Sequence, residues 1–203
     1  MIKLKKVILL LVAILLLAFF TGCTEDFMGN DDDDDDTSDD GNESEEIYRT
    51  VTNAMNKAII AVYLIMNDPA NNSGPGLVEL PEGITVNSDC NGTADVTGSY
   101  EIIIGETILY HVDLDITINS FCFNGTVVDG TADLTADMEV TIDDFEYSIN
   151  FTGTGTLLGE ASSAVSWDIT FIQDSSDAGT VSGYIIIDEV TYDISESITI
   201  GVI

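Results

Sequence analysis

"HVDLDITIN", His111 to Asn119, decides the fold. Val112, Leu114, Ile116 and Ile118 point to one side, while His111, Asp113, Asp115, Thr117 and Asn119 point to the other. That period of two belongs to a strand with one buried and one solvated face. The alternation returns in "LTADMEVTIDD" (134–144), "FEYSINF" (145–151), "VSWDITF" (165–171) and "VTYDISESITI" (190–200). An antiparallel meander of about eight strands follows, spanning residues 84–203, with one apolar and one acidic face.

An internal repeat fits this reading. "NGTADVTGSYEIII" from Asn91 matches "DGTADLTADMEVTI" from Asp129, and both copies keep their apolar residues on even positions. The repeated unit is a strand with its preceding turn, and two copies are too few for a solenoid.

The pairing of the strands can be argued further. A three-residue loop centred on Glu106 sets Ile104 against Ile108, Ile102 against Tyr110, Tyr100 against Val112 and Val96 against Ile116. Continued to its far end, that ladder places Cys90 opposite Cys122, at a Cα separation a disulfide tolerates. A bulge at Gly92 or Gly98 would shift it by one residue. A two-residue turn at Asp143-Asp144 would pair Ile142 with Phe145, Val140 with Tyr147 and Met138 with Ile149. Asn124-Gly125 has good turn chemistry but would oppose Ile116 to Asp133, so a bulge, or a turn at Asp129-Gly130, has to repair the register.

Upstream of the strands the period changes. Ile47, Val51, Ala54, Met55, Ala58, Val62 and Ile65 recur at steps of three and four, an amphipathic helix over 43–68. Asn42 or Ser44 can cap it, and Glu45 and Glu46 suit its positive end. Its last two turns, Ile59 to Met66, are apolar nearly all round, which predicts that they are enclosed. Asp68-Pro69 ends the helix, and 69–83 reads as a linker. The apolar side of the sheet must be covered, and this helix is the only other element available. The fold class is therefore mainly β, strongly curved or barrel-like, with one N-terminal helix packed on the apolar face.

The first 22 residues have another purpose. Lys3, Lys5 and Lys6 form a basic head, Val7 to Phe20 an apolar stretch, and Thr21-Gly22 a small-residue site before Cys23, the order of a secretory signal. Phe20-Thr21-Gly22-Cys23 resembles the lipobox of bacterial lipoproteins. That resemblance implies cleavage before Cys23, a diacylglycerol and palmitate-type acylation on Cys23, and a membrane anchor. Thr24 rather than Asp after the anchor resembles lipoproteins sorted to the outer membrane, facing the periplasm or the cell surface.

Residues 23–42 form the tether. Six consecutive aspartates, Asp31 to Asp36, follow the anchor, with almost nothing to bury, so disorder and self-repulsion are expected. The position of this run resembles the acidic surface-export tethers of some Gram-negative lipoproteins. A calcium loop using Asp36, Ser38, Asp40 and Gly41 would need a bidentate Glu at its twelfth position, where Ile47 stands, leaving only weak divalent cation binding.

Charge excludes whole classes of function. The chain carries 37 acidic and 5 basic residues, a formal net charge of −32. Three of the basic residues belong to the signal, and none lies beyond Lys57. A basic groove for nucleic acid is excluded. A membrane barrel would have to hold rows of carboxylates in its lumen without a single strand cation, so an anchored soluble domain is expected.

Catalytic chemistry has little to work with. His111 is the only histidine and sits on the polar face, so neither a Ser-His-Asp triad nor a His-rich metal site can be assembled. No catalytic residue, metal ligand or cofactor is expected. Paired strand carboxylates leave a glycosidase-like hydrolase as a remote alternative. "TGTGT" (152–156) lacks the helix and lysine of a phosphate loop. Trp167, sharing parity with Val165, Ile169 and Phe171, reads as core. The remaining cysteines, Cys90 and Cys122, form an even pair in an exported chain.

Two functional expectations result. The first is a non-catalytic binding or structural role at the envelope or cell surface, with an envelope protein as possible partner. The alternative is carriage of an apolar ligand or lipid between helix and curved sheet, which half-barrel lipoprotein carriers resemble. A cavity lined by residues such as Met55, Ile59, Tyr100 and Trp167 would favour the carrier.

Overall fold

The computed structural model describes residues 40–67, 75–80, 84–141, 144–159, 162–174 and 178–199. Among the described residues, nine antiparallel strands follow one helix: α1 (Asp40–Asn67), β1 (Gly76–Glu79), β2 (Ile84–Asn87), β3 (Thr93–Ile104), β4 (Ile108–Phe123), β5 (Thr126–Val140), β6 (Phe145–Leu158), β7 (Ser163–Asp174), β8 (Ala178–Ile187) and β9 (Val190–Thr199). From β3 to β9 each strand pairs with the next, and β1 and β2 share the free side of β3. The sheet is not closed into a barrel: β9 pairs only with β8 among the described residues.

Two boundaries differ from the sequence reading. The helix already begins at Asp40, within the end of the stretch assigned to the tether. A short strand, β1, occupies part of the presumed linker, pairing Gly76 with Ile102 and Glu79 with Ser99.

The β3–β4 register is the one deduced from the Glu106 loop, with Ile104 on Ile108, Ile102 on Tyr110, Tyr100 on Val112 and Val96 on Ile116. At the other end of β4 the chain turns at Asn124-Gly125, both residues at positive φ (51° and 94°), the geometry of a tight hairpin. A bulge at Ser120 repairs the faces: Phe121 pairs Val128, but Ile118 pairs Gly130, so Ile116 meets Ala132 instead of Asp133. Asp129 fastens the bulge, its carboxylate accepting hydrogen bonds from the Ser120 backbone N–H and hydroxyl.

The β5–β6 hairpin corrects a finer expectation. Val140 pairs Phe145, Met138 pairs Tyr147 and Ala136 pairs Ile149, two residues away from a turn at Asp143-Asp144. The loop is longer, and it is closed by the Thr141 N–H donating to the Asp144 carbonyl (2.8 Å) and the Asp144 N–H to the Thr141 hydroxyl (2.9 Å). A slip of two keeps every side chain on its face, so the apolar pattern does not discriminate between these registers.

The core forms where α1 lies on the apolar face. Ile47, Val51, Ala54, Met55, Ala58 and Val62 are buried, as are Val96, Ile116, Phe121, Val128, Leu134 and Phe151 from the sheet. Trp167 is buried too, its indole lying over Gly153, where a Cβ would collide with it. The helix end is less enclosed than its composition predicts: Leu64 is 63% and Ile60 36% exposed. Apolarity all round a helix shows what could be covered, not what the rest of the chain reaches.

Candidate functional site

Three places on the domain gather groups with chemistry. The first is the junction of helix and sheet beside the cysteines. Cys90 lies in a turn before β3, and Cys122 near the end of β4. Their sulfurs stand at disulfide distance, with Cα atoms 5.5 Å apart. In that turn the Ser88 N–H donates to the Gly92 carbonyl (2.8 Å), the Gly92 N–H to Ser88 Oγ (2.8 Å), and the Asp89 N–H to the Cys122 carbonyl (3.3 Å). Lys57 reaches down from α1 to the Asn87 carbonyl (3.0 Å) and Asp89 Oδ1 (2.6 Å), with its ammonium 5.6 Å from the Phe121 ring centroid. This arrangement fastens the helix; it offers no open position to a substrate. The signal that links Lys57 to Asp89 is absent from sequence periodicity, because the two are 32 positions apart.

The second place is the outer face of the sheet. Register aligns its side chains into rows, one of which runs Thr97, Asp115, Asp133, Thr152, Asp168, Tyr184 and Asp193 across seven strands. Hydrogen bonds are local: Thr85 Oγ1 donates to Asp95 (2.6 Å), Asn119 Nδ2 to Asp95 (3.0 Å), and Asn150 Nδ2 to Asp168 (3.2 Å) and Thr170 (3.1 Å). His111 lies here, as its parity predicts, with Nδ1 2.7 Å from Asp137 Oδ1 and both side chains exposed. Among the described residues, no three His, Cys, Asp or Glu side chains come together as metal ligands would.

The third place is the end of the inner face away from the cysteines. Two rows cross it: Ile104, Ile108, Val140 and Phe145, then Ile102, Tyr110, Met138 and Tyr147. Most of these side chains are only half-buried, and Ile104 is 44% exposed. At the cysteine end of the same face, Ala94, Val96, Ile118 and Val128 are sealed. Tyr147, at the end of the second row, is buried, and its hydroxyl donates to Gln173 Oε1 (2.8 Å). Burial pushes the Tyr147 phenol far above its ordinary range, and raises Tyr110 and Tyr100 for the same reason.

Of the residues proposed to line a carrier cavity, Met55, Tyr100 and Trp167 are buried and Ile59 is half-buried. The Trp167 indole N–H is also buried, without a hydrogen-bond acceptor among the described residues. Cys23 and the aspartate run lie outside the described residues. No helix among the described residues is long and apolar enough to cross a membrane. Comparison with protein-family models, with curated proteins and with solved structures returns no match.

Proposed function

We propose that this chain is a lipid-anchored envelope or cell-surface protein with a non-catalytic binding or structural role, held at the outer membrane through Cys23 and the acidic tether. One observation carries the reading: the sheet divides its duties between two faces. The inner face is packed against α1, and the outer face presents carboxylates and hydroxyls in continuous rows from β3 to β9. A broad hydrated face of one sign keeps copies apart and offers a contact surface, whereas catalysis needs convergent groups around a reacting atom.

The sheet in this reading curls partly around the helix. Support comes from α1, which touches β2, β3, β4 and β5 and also β8. Gly98, Gly130, Gly155 and Gly183 add to it, since a Cβ at each would run into a carbonyl of the neighbouring strand. Glycines at such close approaches let strands coil.

The anchor is tested by Cys23→Ser. The wild-type chain should be processed, acylated and recovered with outer membranes, and the variant should be unprocessed or soluble. A variant that still carries acyl chains and partitions into membranes refutes the reading.

A second reading, carriage of an apolar ligand, is favoured by the half-open end of the inner face. Apolar side chains there contribute less burial than they could, which a ligand would complete.

A further inference from the structure

We propose that the half-open end of the inner face, framed by Ile104, Ile108, Val140 and Phe145, binds a neutral, hydroxyl-bearing single-chain lipid of the monoacylglycerol type. The inference rests on the carrier reading and adds the place and the chemical class.

The place follows from asymmetry. Ala94, Val96, Ile116, Ile118 and Val128 are all at most 2% exposed at the cysteine end. At the opposite ends of the same strands, and on the adjoining β6, the face ends in two rows whose side chains are apolar apart from the tyrosine hydroxyls and, except for the buried Tyr147, remain partly open to solvent. An acyl chain laid along these rows buries apolar area on both partners.

The class follows from charge. Arg49 and Lys57 are the only Lys or Arg among the described residues. Arg49 pairs with Glu45 on the helix (2.5 Å), and Lys57 with Asp89 at the cysteine end. Neither is available at the open end, where exposed Glu106 and Asp144 stand on the two loops that close it; Glu139 and Glu146, on the strands beside them, project from the outer face. A fatty acid carboxylate or a phosphate head group would meet like charge there. Carboxylates are hydrogen-bond acceptors, so a glycerol head group, with hydroxyls to donate, complements them. A second copy of this chain would bring the same acidic rim and is disfavoured for the same reason.

The experiment titrates the full-length processed chain with monoolein and, separately, with oleate at pH 8, read by native mass spectrometry and calorimetry. One monoolein should bind at least tenfold more tightly than oleate. Ile104→Glu should weaken monoolein at least tenfold, while Leu77→Glu, at a 63% exposed position beside Glu101 on the outer face, should leave it unchanged. Emission of the single tryptophan, Trp167, reports whether each variant keeps its core. Should Ile104→Glu disturb it, Val140→Asn takes its place and should weaken binding in the same way. Binding of neither lipid overturns carriage and this proposal together. Equal affinity for oleate, or monoolein affinity indifferent to the rim variants, leaves carriage standing and overturns the site.

Discussion

The Cα atoms of Cys90 and Cys122 stand 5.5 Å apart, although the β3–β4 ladder that aims them at each other ends at Thr93 and Asn119. Between the last rung and the cysteines lie Asn91 at φ 88° and Ser120 at φ 48°, so both chains leave the extended conformation before they meet. The turn at Ser88 to Gly92, held to β4 by the Asp89 N–H, brings them together instead of a continuous ladder.

Oxidised protein from the envelope should therefore give a cross-linked Cys90–Cys122 peptide when digested without reduction. Separately alkylated free cysteines would defeat the assignment. Because the bond closes a loop with a sequence separation of 32, replacing both cysteines by serine should cost about 3.5 to 4 kcal/mol in a denaturant titration.

The Ser120 bulge makes a second prediction. The Asp129 carboxylate is the acceptor that fixes it, so Asp129→Ala should destabilise the domain by about 1.5 to 3 kcal/mol, the range for a hydrogen bond to a charged acceptor. Asp133→Ala, on the same strand with no bulge to hold, is the control and should cost far less. Equal effects of the two would show that the bulge does not depend on Asp129.

How much of this was legible depends on the kind of signal. The β3–β4 register could be read because inward residues are even on both strands and a three-residue loop preserves that parity. Between β4 and β5 the conflict of Ile116 with Asp133 revealed that a correction was needed, but either a bulge or a displaced turn would satisfy it. Ser120 supplies the answer through a positive φ and a contact nine residues away, neither of which alternation encodes. The β5–β6 slip of two was invisible because it keeps both faces intact. Lys57 on Asp89 and the half-open rows near Ile104 depend on where the helix comes to rest, a tertiary outcome that helical periodicity does not carry.

Gly98 provides a backbone test. Its φ is 131°, a region side chains rarely adopt, and a Cβ would press into the Asp113 carbonyl on β4. Gly98→Ala should cost about 2 to 3 kcal/mol, combining conformational strain with a displaced ladder. Gly105→Ala, whose Cβ would meet only the Thr107 carbonyl oxygen at 3.7 Å, should change stability little. If thermal midpoints of the two variants coincide, the close approach of β3 and β4 at Gly98 is not as described.

Tyr147 predicts how the domain fails in alkali. Its phenol is buried and donates to Gln173, and burial raises its pKa far above the ordinary value of 10.0. In the unfolded chain the same phenol ionises near pH 10, so above that pH the unfolded state binds fewer protons than the folded state. Stability is then a falling function of pH: the contribution is whole below pH 10 and is lost progressively as pH rises above it. Tyr110 and Tyr100, raised by burial in the same direction, add to the slope. In a spectrophotometric titration, Tyr147 should ionise only together with the loss of Trp167 near-ultraviolet dichroism. Tyr147→Phe removes one of the contributing phenols and should make the fall in stability above pH 10 shallower. A Tyr147 that titrates near pH 10 in the folded protein would show that the half-open rows beside it admit water to its hydroxyl.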